Sequence, residues 1–598
     1  MKTRRKQGIP PVLVVLAISM SLFLTGCGGG GGSTSSSAGS SGTQQVSGVA
    51  AAGAPIVGNA YLKDATGTTL GPQVIGTDGS FSFDVTGMTA PFFLLAEGRV
   101  GGSEYKLHST ATAGGTANIN PLTNIAVASA AGVNDPGTVF ANPANFASTV
   151  NSTTLAQAIK DLQNMIKPLL DANNATIDPI TGSYSANHTG LDAVLDAVKI
   201  ELNTNSGGVT VTDKATNTAI ATASATTLSQ PTDSVTTAEA TTAATAVTDF
   251  QAITSKMAEL SNLFNQKGAN LTAADVDAFF AANYGINDGF NRTQTINDLV
   301  AGVPTSSGTN TITRIGNVNF EEKVGGDYRV TFLAYFSDGS AGTPEGGFIF
   351  TNENGIWKLK GNGYKAYLEQ VRPRVMRWVK ADDSKQTESG IMCLIEDKGN
   401  LGLKSAVITG PGLPSNGLTL SNNQPTDPNK LFLDNAYRTN SLPTNQWEFY
   451  VMSDTAIDSA TDNGKYTIQI YDGNGTLIET RTRVFPRRPY KRTEITDGHF
   501  ATFSGIADHS LASAKIGGTL TFSYAKPTAY TTLWLNGDLG FWDMMGNAAF
   551  YWRNLLLNQT SGSIVSASPS TWAPTTAAFR LEAEDTFLRR LEVIWMFQ

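Results

Sequence analysis

The sequence predicts a multidomain, mainly β chain: β-sandwich domains at both ends, a helical middle region and an α+β domain. Three observations carry this. Near both ends apolar and polar residues alternate, as in Phe81-Ser82-Phe83-Asp84-Val85 and Leu520-Thr521-Phe522-Ser523-Tyr524, the pattern of half-buried strands. In the middle, apolar residues recur at spacings of three and four, as in Leu155, Ile159, Leu162, Ile166 and Leu169, the pattern of amphipathic helices. The length of 598 residues allows several cores, at about 100–200 residues per domain.

The chain begins with a basic stretch, Lys2, Arg4, Arg5 and Lys6, then an apolar run over residues 9–24. Pro10-Pro11 leaves that run too short for a membrane span, which needs about 20 apolar residues. It closes on Leu24-Thr25-Gly26-Cys27, which resembles the lipobox of bacterial lipoproteins, where the cysteine is lipidated and everything before it is removed. The resemblance implies a signal peptide over 1–26 and a membrane partner reached through lipidated Cys27. Gly28, rather than Asp, implies the outer membrane. Residues 27–45 are Gly- and Ser-rich, the composition of linkers that hold a folded body away from an anchor.

A first β-domain is expected over 46–119. Its short strands are separated by turn residues, and Asp78-Gly79 signals a tight hairpin turn. The pattern is similar to the carboxypeptidase-regulatory, transthyretin-like β-sandwich, a group that includes both carbohydrate binders and spacers. A helical region is expected over 120–245. Asn120-Pro121 pairs an N-cap with proline at the first helical position, and Pro168 should end or kink the helix of residues 155–169. Thr189-Gly190-Leu191-Asp192 reads as a capping box opening a helix whose apolar face is Leu191, Val194, Leu195, Val198 and Leu202. Strands at Val209-Thr210-Val211 and Ala219-Ile220-Ala221 suggest a hairpin, followed by a Thr/Ala-rich linker or helix start over 222–242.

An α+β domain is expected over 246–382. It opens with the longest helical stripe of the chain, Val247, Phe250, Ile253, Met257, Leu260 and Phe264, and closes with a strand meander ending in Gly355-Ile356-Trp357-Lys358-Leu359. Helices followed by a meander resemble the cone-shaped, cystatin-like fold of the nuclear transport factor and ketosteroid isomerase group. The resemblance implies a concave sheet that can hold a small ligand. Residues 383–490 and 491–598 alternate as sandwich strands do, resembling immunoglobulin-like and fibronectin-like modules.

Candidate chemistry is sparse. Two cysteines and four histidines build no zinc cluster, and no zincin helix, nucleophile elbow or phosphate loop is present. Cys393 lies in the apolar run Gly390-Ile391-Met392-Cys393-Leu394-Ile395 and reads as a buried strand residue, without a disulfide partner once Cys27 is acylated. His188, Asp192 and Asp196 would share a helix face only if the helix began before Thr189, so a structural role is expected. Asp508-His509-Ser510 places acid, base and hydroxyl side by side, but adjacency in sequence does not align them in space. Asp327, Tyr328, Tyr335 and Asp338 are explained by turn and strand roles. The cluster Arg481, Arg483, Arg487, Arg488, Lys491 and Arg492 reads as an interdomain joint whose arginines pair with carboxylates, the alternative being a patch for anionic envelope polymers or lipid headgroups.

Five of the eight tryptophans fall in the last 65 residues. Phe541, Trp542, Tyr551 and Trp552 lie in segments without clear alternation and are the candidate ligand-binding face. Charged residues make up 15% of the chain, against about 25% on average. The mild net charge of −8 gives no basic footprint for nucleic acid. Together these features predict a non-catalytic cell-envelope lipoprotein, with no catalytic, metal or cofactor site, that serves interaction or scaffolding through a glycan or an envelope protein. A carbohydrate- or small-ligand-binding surface protein and a hydrolase of unrecognised type are the alternatives.

Overall fold

The computed structural model describes residues 44–598, apart from 102, 176, 302, 306–307, 311, 337–340, 343–346, 425–426, 440, 445, 546–547 and 558. Cys27, the signal segment, the Gly/Ser linker up to residue 43 and Asp338 lie outside the described residues, and the linker's expected last residue, Gln45, opens the first strand. The molecule is mainly β, with a helical middle region.

The first sandwich stacks a three-stranded sheet, which includes Gln45–Val49 and Ser80–Asp84, on a four-stranded one, which includes Val57–Lys63 and Phe92–Val100. Val46, Phe81, Phe83 and Phe92 fill the space between them. The Asp78-Gly79 turn is present, with Gly79 at φ +87°. It does not make a hairpin, because Thr69–Val74 and Ser80–Asp84 pair in different sheets.

Asn120 caps the helix Pro121–Ala131, accepting from the backbone N–H groups of Leu122 and Thr123. After two short helices, the helix Ser152–Met165 stops at Ile166 and a short helix restarts with Pro168 in its first turn, where its missing N–H costs nothing. The expected helix through Leu202 is shorter: Leu191–Ala197 is helical and Val198–Leu202 is a strand pairing with Gly208–Asp213. Its expected capping box is absent, because Gly190 is the N-cap and Asp192 is taken up by buried hydrogen bonds to other donors.

The helix Thr237–Lys267 runs 31 residues from a Thr236/Glu239 capping box. The boundary expected at 245/246 falls inside it. Its first half packs Ala240, Ala243 and Val247 into the helical core, and its second half packs Phe250, Ile253, Met257, Leu260 and Phe264 under the sheet that includes Ile312–Val324 and Asp327–Phe336. One helix therefore ties two cores together.

Among the described residues a 12-stranded sheet runs from Leu477–Phe485 to Ala548–Asn554. The strand Tyr367–Val379, expected with the α+β domain, sits inside this sheet. It pairs antiparallel with Lys385–Glu396 and parallel with the last strand, Arg590–Phe597. Sequence neighbours within the α+β domain cannot match it, since the carboxylates that pair with its Arg372 and Arg374 lie more than 200 residues away. The tail folds as a sandwich: a small sheet carrying Leu520, Phe522 and Tyr524 packs on Leu539, Phe579, Leu581 and Val593 of the large one. Among the described residues no helix is long and apolar enough to cross a membrane.

Candidate functional site

Where the first sandwich, the α+β domain and the large sheet meet they form a half-open cavity of about 1110 Å³, larger than the roughly 300–1,000 Å³ of most small-molecule sites. Its apolar wall belongs to the α+β domain: Leu260 of the long helix, then Ile315, Phe320, Phe332, Phe336 and Phe348 of the strands. The rings of Phe332 and Phe348 stack at 5.6 Å. Tyr328 is excluded from this wall. It is buried under Phe250 and its hydroxyl donates to Asp249 at 3.0 Å. Tyr335 donates to Asn317 at 2.9 Å and Asp327 pairs with Lys360 at 2.7 Å.

The opposite wall is cationic, and strand register explains it. Trp534, Glu584, Arg590 and Arg374 fall in one cross-strand row, with Asn536, Glu582 and Glu592 in the next. Alternation puts all of them on one face of the sheet, the other face being the sandwich core. Glu582 and Glu592 stand directly opposite each other, a repulsive arrangement by itself. Arg374 bridges both, while Arg590 reaches Glu582 at 3.2 Å and Glu584 at 2.8 Å. Arg372 joins Glu584 at 2.6 Å, and the Arg590 guanidinium lies over the Trp534 ring at 4.7 Å.

Arg99 of the first sandwich and Arg483 of the large sheet complete the cationic wall. Burial of Arg99, only partly offset by Glu584 and reinforced by Arg483, draws its guanidinium down to about 10. Burial pushes the Glu584 carboxyl up, but Arg590 and Arg372 override this and hold it below the usual carboxylate range. Among the described lining residues basic side chains outnumber acidic ones, although the chain as a whole is acidic. The rest of the arginine cluster is a joint of ion pairs: Arg481 with Asp288, Arg487 with Glu104 and Asp462, Arg488 with Glu494, and Arg492 with Glu388.

A second cluster lies at the helical core. His188 Nδ1 is 2.7 Å from Asp196 and 4.0 Å from Asp192, although the helix begins only at Leu191. The loop achieves this with His188 at φ +62°, so that its backbone N–H also donates to Asp192. The three ligand-type atoms lie within 4.8 Å of one another. Tyr184 donates to Asp192 at 3.0 Å, and the buried Lys214 ammonium faces Asp196. Two carboxylates against an imidazole and an ammonium make a buried charge knot, in which Asp196 Oδ1 has no hydrogen-bond partner. Burial and Asp196 raise Asp192 to about 7. Burial alone would lower His188, but its hydrogen bond and attraction to Asp196 raise it.

The expected aromatic face is dispersed. Phe541 is 0% exposed and belongs to the sandwich core, which removes it from any binding face. Tyr551 is half-buried beside it, with ring centroids 5.5 Å apart. Trp542 is half-buried on the opposite face of the sheet, packed against an apolar patch that includes Trp378 and Met596. The side chain of Trp552 lies outside the described residues. What the hairpin tip does expose is Met544 and Met545, at 84% and 87%, and Phe550 at 51%. Trp595 is half-buried against the sandwich core and stacks on His509 at 3.9 Å. His509 is bonded to Met596 O and Asp383, while Ser510 bonds Asp508, so the three do not form a triad.

The cationic wall did not register as a site in the sequence. Its signal was present as charge at every second residue, Arg372 and Arg374, Glu582 and Glu584, Arg590 and Glu592, with apolar residues between most of them. No family model and no curated protein matches the chain. Among solved structures it is similar to a tetra-tandem repeat in the extending region of a large adhesion protein. The match has 9% identity over 93% of this chain and 98% of that one, with a TM-score of 0.12. At that score the likeness does not establish a common fold.

Proposed function

We propose that this chain is a non-catalytic protein of the cell envelope, anchored through lipidated Cys27, that binds a small molecule in the cavity between its domains. One observation carries the reading: a cavity of about 1110 Å³ in which an apolar wall from one domain faces a charged wall from others. Pockets with many apolar side chains and a few fixed polar groups are built for recognition. The ion pairs favour binding over proton transfer, because Glu584 is held ionised by its arginines.

Native mass spectrometry of the full chain isolated from envelope membranes tests this. The expected spectrum carries one small molecule per chain, and Ala334→Trp, which fills the cavity from its apolar wall, loses it. A folded Ala334→Trp chain that keeps the molecule, or a native chain that carries none, overturns the proposal. Anchoring is tested separately: Cys27→Ala should abolish labelling with radioactive palmitate, and label surviving in that variant rules the anchor out.

A further inference from the structure

We infer that His188, Asp192 and Asp196 bind one divalent transition-metal ion, zinc or a metal of similar chemistry, in a structural site distinct from the cavity. One ligand-type atom from each residue lies within 4.8 Å of the other two. His188 lies outside the helix Leu191–Ala197, and its φ of +62° brings it back over the two aspartates. Its Nδ1 is 2.7 Å from Asp196 Oδ2 and 4.0 Å from Asp192 Oδ2. Zinc holds nitrogen and carboxylate oxygen at about 2.0–2.2 Å, which spaces the ligand atoms of a tetrahedral site roughly 3.3 Å apart. The two distances bracket that value, so small side-chain shifts seat the ion. A second observation points to a ligand independently. The Asp196 side chain is 1% exposed, yet its Oδ1 accepts no hydrogen bond. A buried carboxylate oxygen without a partner is costly, and a cation removes that cost. Oδ1 shares its carbon with Oδ2, which already touches the imidazole, so it belongs to the same cluster. A Cβ at position 53 would crowd Oδ1 at 3.2 Å, and Gly53, at φ +82°, carries none.

The surrounding groups orient the ligands. Tyr184 donates to Asp192 Oδ1 at 3.0 Å and the His188 backbone N–H donates to Asp192 Oδ2 at 2.7 Å. Gln251 of the long helix donates to His188 O at 3.0 Å, so an ion here would pin the loop to both helices. Lys214 is the cation beside the cluster. It donates to Leu195 O at 3.1 Å and makes no ion pair with either aspartate among the described residues, so it weakens the site without filling it. One imidazole and two carboxylates suit zinc or cobalt better than calcium or magnesium, which take oxygen ligands. Binding replaces the proton between Nδ1 and Asp196 Oδ2 and releases it to solvent, because Nδ1 coordinates only as a lone pair.

Calorimetric titration of the EDTA-treated full chain with zinc chloride tests the site. One ion per chain is expected, with a rise in melting temperature. Calcium and magnesium chloride should bind at least about tenfold more weakly. Asp196→Asn, which keeps the shape and removes the charge, should weaken zinc about tenfold or more, as should His188→Gln. Lys214→Met should tighten zinc about tenfold by removing a like charge, a gain that a knot of ion pairs alone does not predict. Failure of zinc to bind the folded chain, or binding that Asp196→Asn leaves unchanged, overturns the site. Calcium binding as tight as zinc overturns the metal class. If the variants do not fold, anomalous diffraction at the zinc edge from the native chain decides. A peak about 2.0–2.2 Å from His188 Nδ1 supports the site. A peak elsewhere, such as between His509 and Asp383, or no peak at all, overturns it.

Discussion

His188 and Asp192 both hold protons more tightly in the folded chain than in the unfolded one, for different reasons. Asp192 is raised by burial and by its neighbour Asp196, and His188 is raised by its bond to Asp196. An acid whose folded value of about 7 exceeds its unfolded value of 3.8 costs stability as pH rises between those values. A histidine with a raised value loses its contribution as pH climbs through and above 6.5. The signs agree, so the knot should be most stabilising in mild acid and weakest above pH 7 or so. Asp192→Asn should flatten the fall in melting temperature between pH 5 and pH 8, as calorimetry will show. An unchanged slope would place the titration elsewhere. Cys393 is fully buried and its thiol is pushed up by burial. Cys393→Ser should therefore cost roughly 1–3 kcal/mol for burying a hydroxyl. The native thiol should resist bulky reagents in a labelling assay.

The charged rows of the large sheet are where secondary-structure elements depend on one another. Arg374 holds Glu582 and Glu592 together from the parallel strand Tyr367–Val379. Arg374→Met should destabilise by about 3–5 kcal/mol, because it leaves two buried carboxylates facing each other. Adding Glu592→Leu removes the repulsion and should recover most of that loss in urea denaturation. At this scale the sequence was legible wherever spacing is local. The cap at Asn120, the break before Pro168 and the stripe from Val247 to Phe264 could all be read from neighbours. It was misleading where partners are distant. Leu191 to Leu202 has helical spacing throughout, yet Val198–Leu202 is drawn into a strand by Gly208–Asp213.

At the scale of the whole molecule the same limit explains the domain boundaries and the site. The long helix Thr237–Lys267 and the strand Tyr367–Val379 each cross an expected boundary, because each completes the core of another part of the chain. The cavity has walls contributed by residues as far apart as Arg99 and Arg590, so no local motif announces it. Phe541 shows the converse error: a residue without visible alternation is central to the sandwich core. Trp542 and Phe550, by contrast, flank an exposed pair of methionines that composition alone did not distinguish. The most direct test is a crystal structure of the full chain isolated from envelope membranes. The account predicts density for a small molecule inside the cavity, between Arg99 on one wall and Phe332 and Phe348 on the other. An unoccupied cavity, with ligand density instead over Met544, Met545 and Phe550, would contradict it.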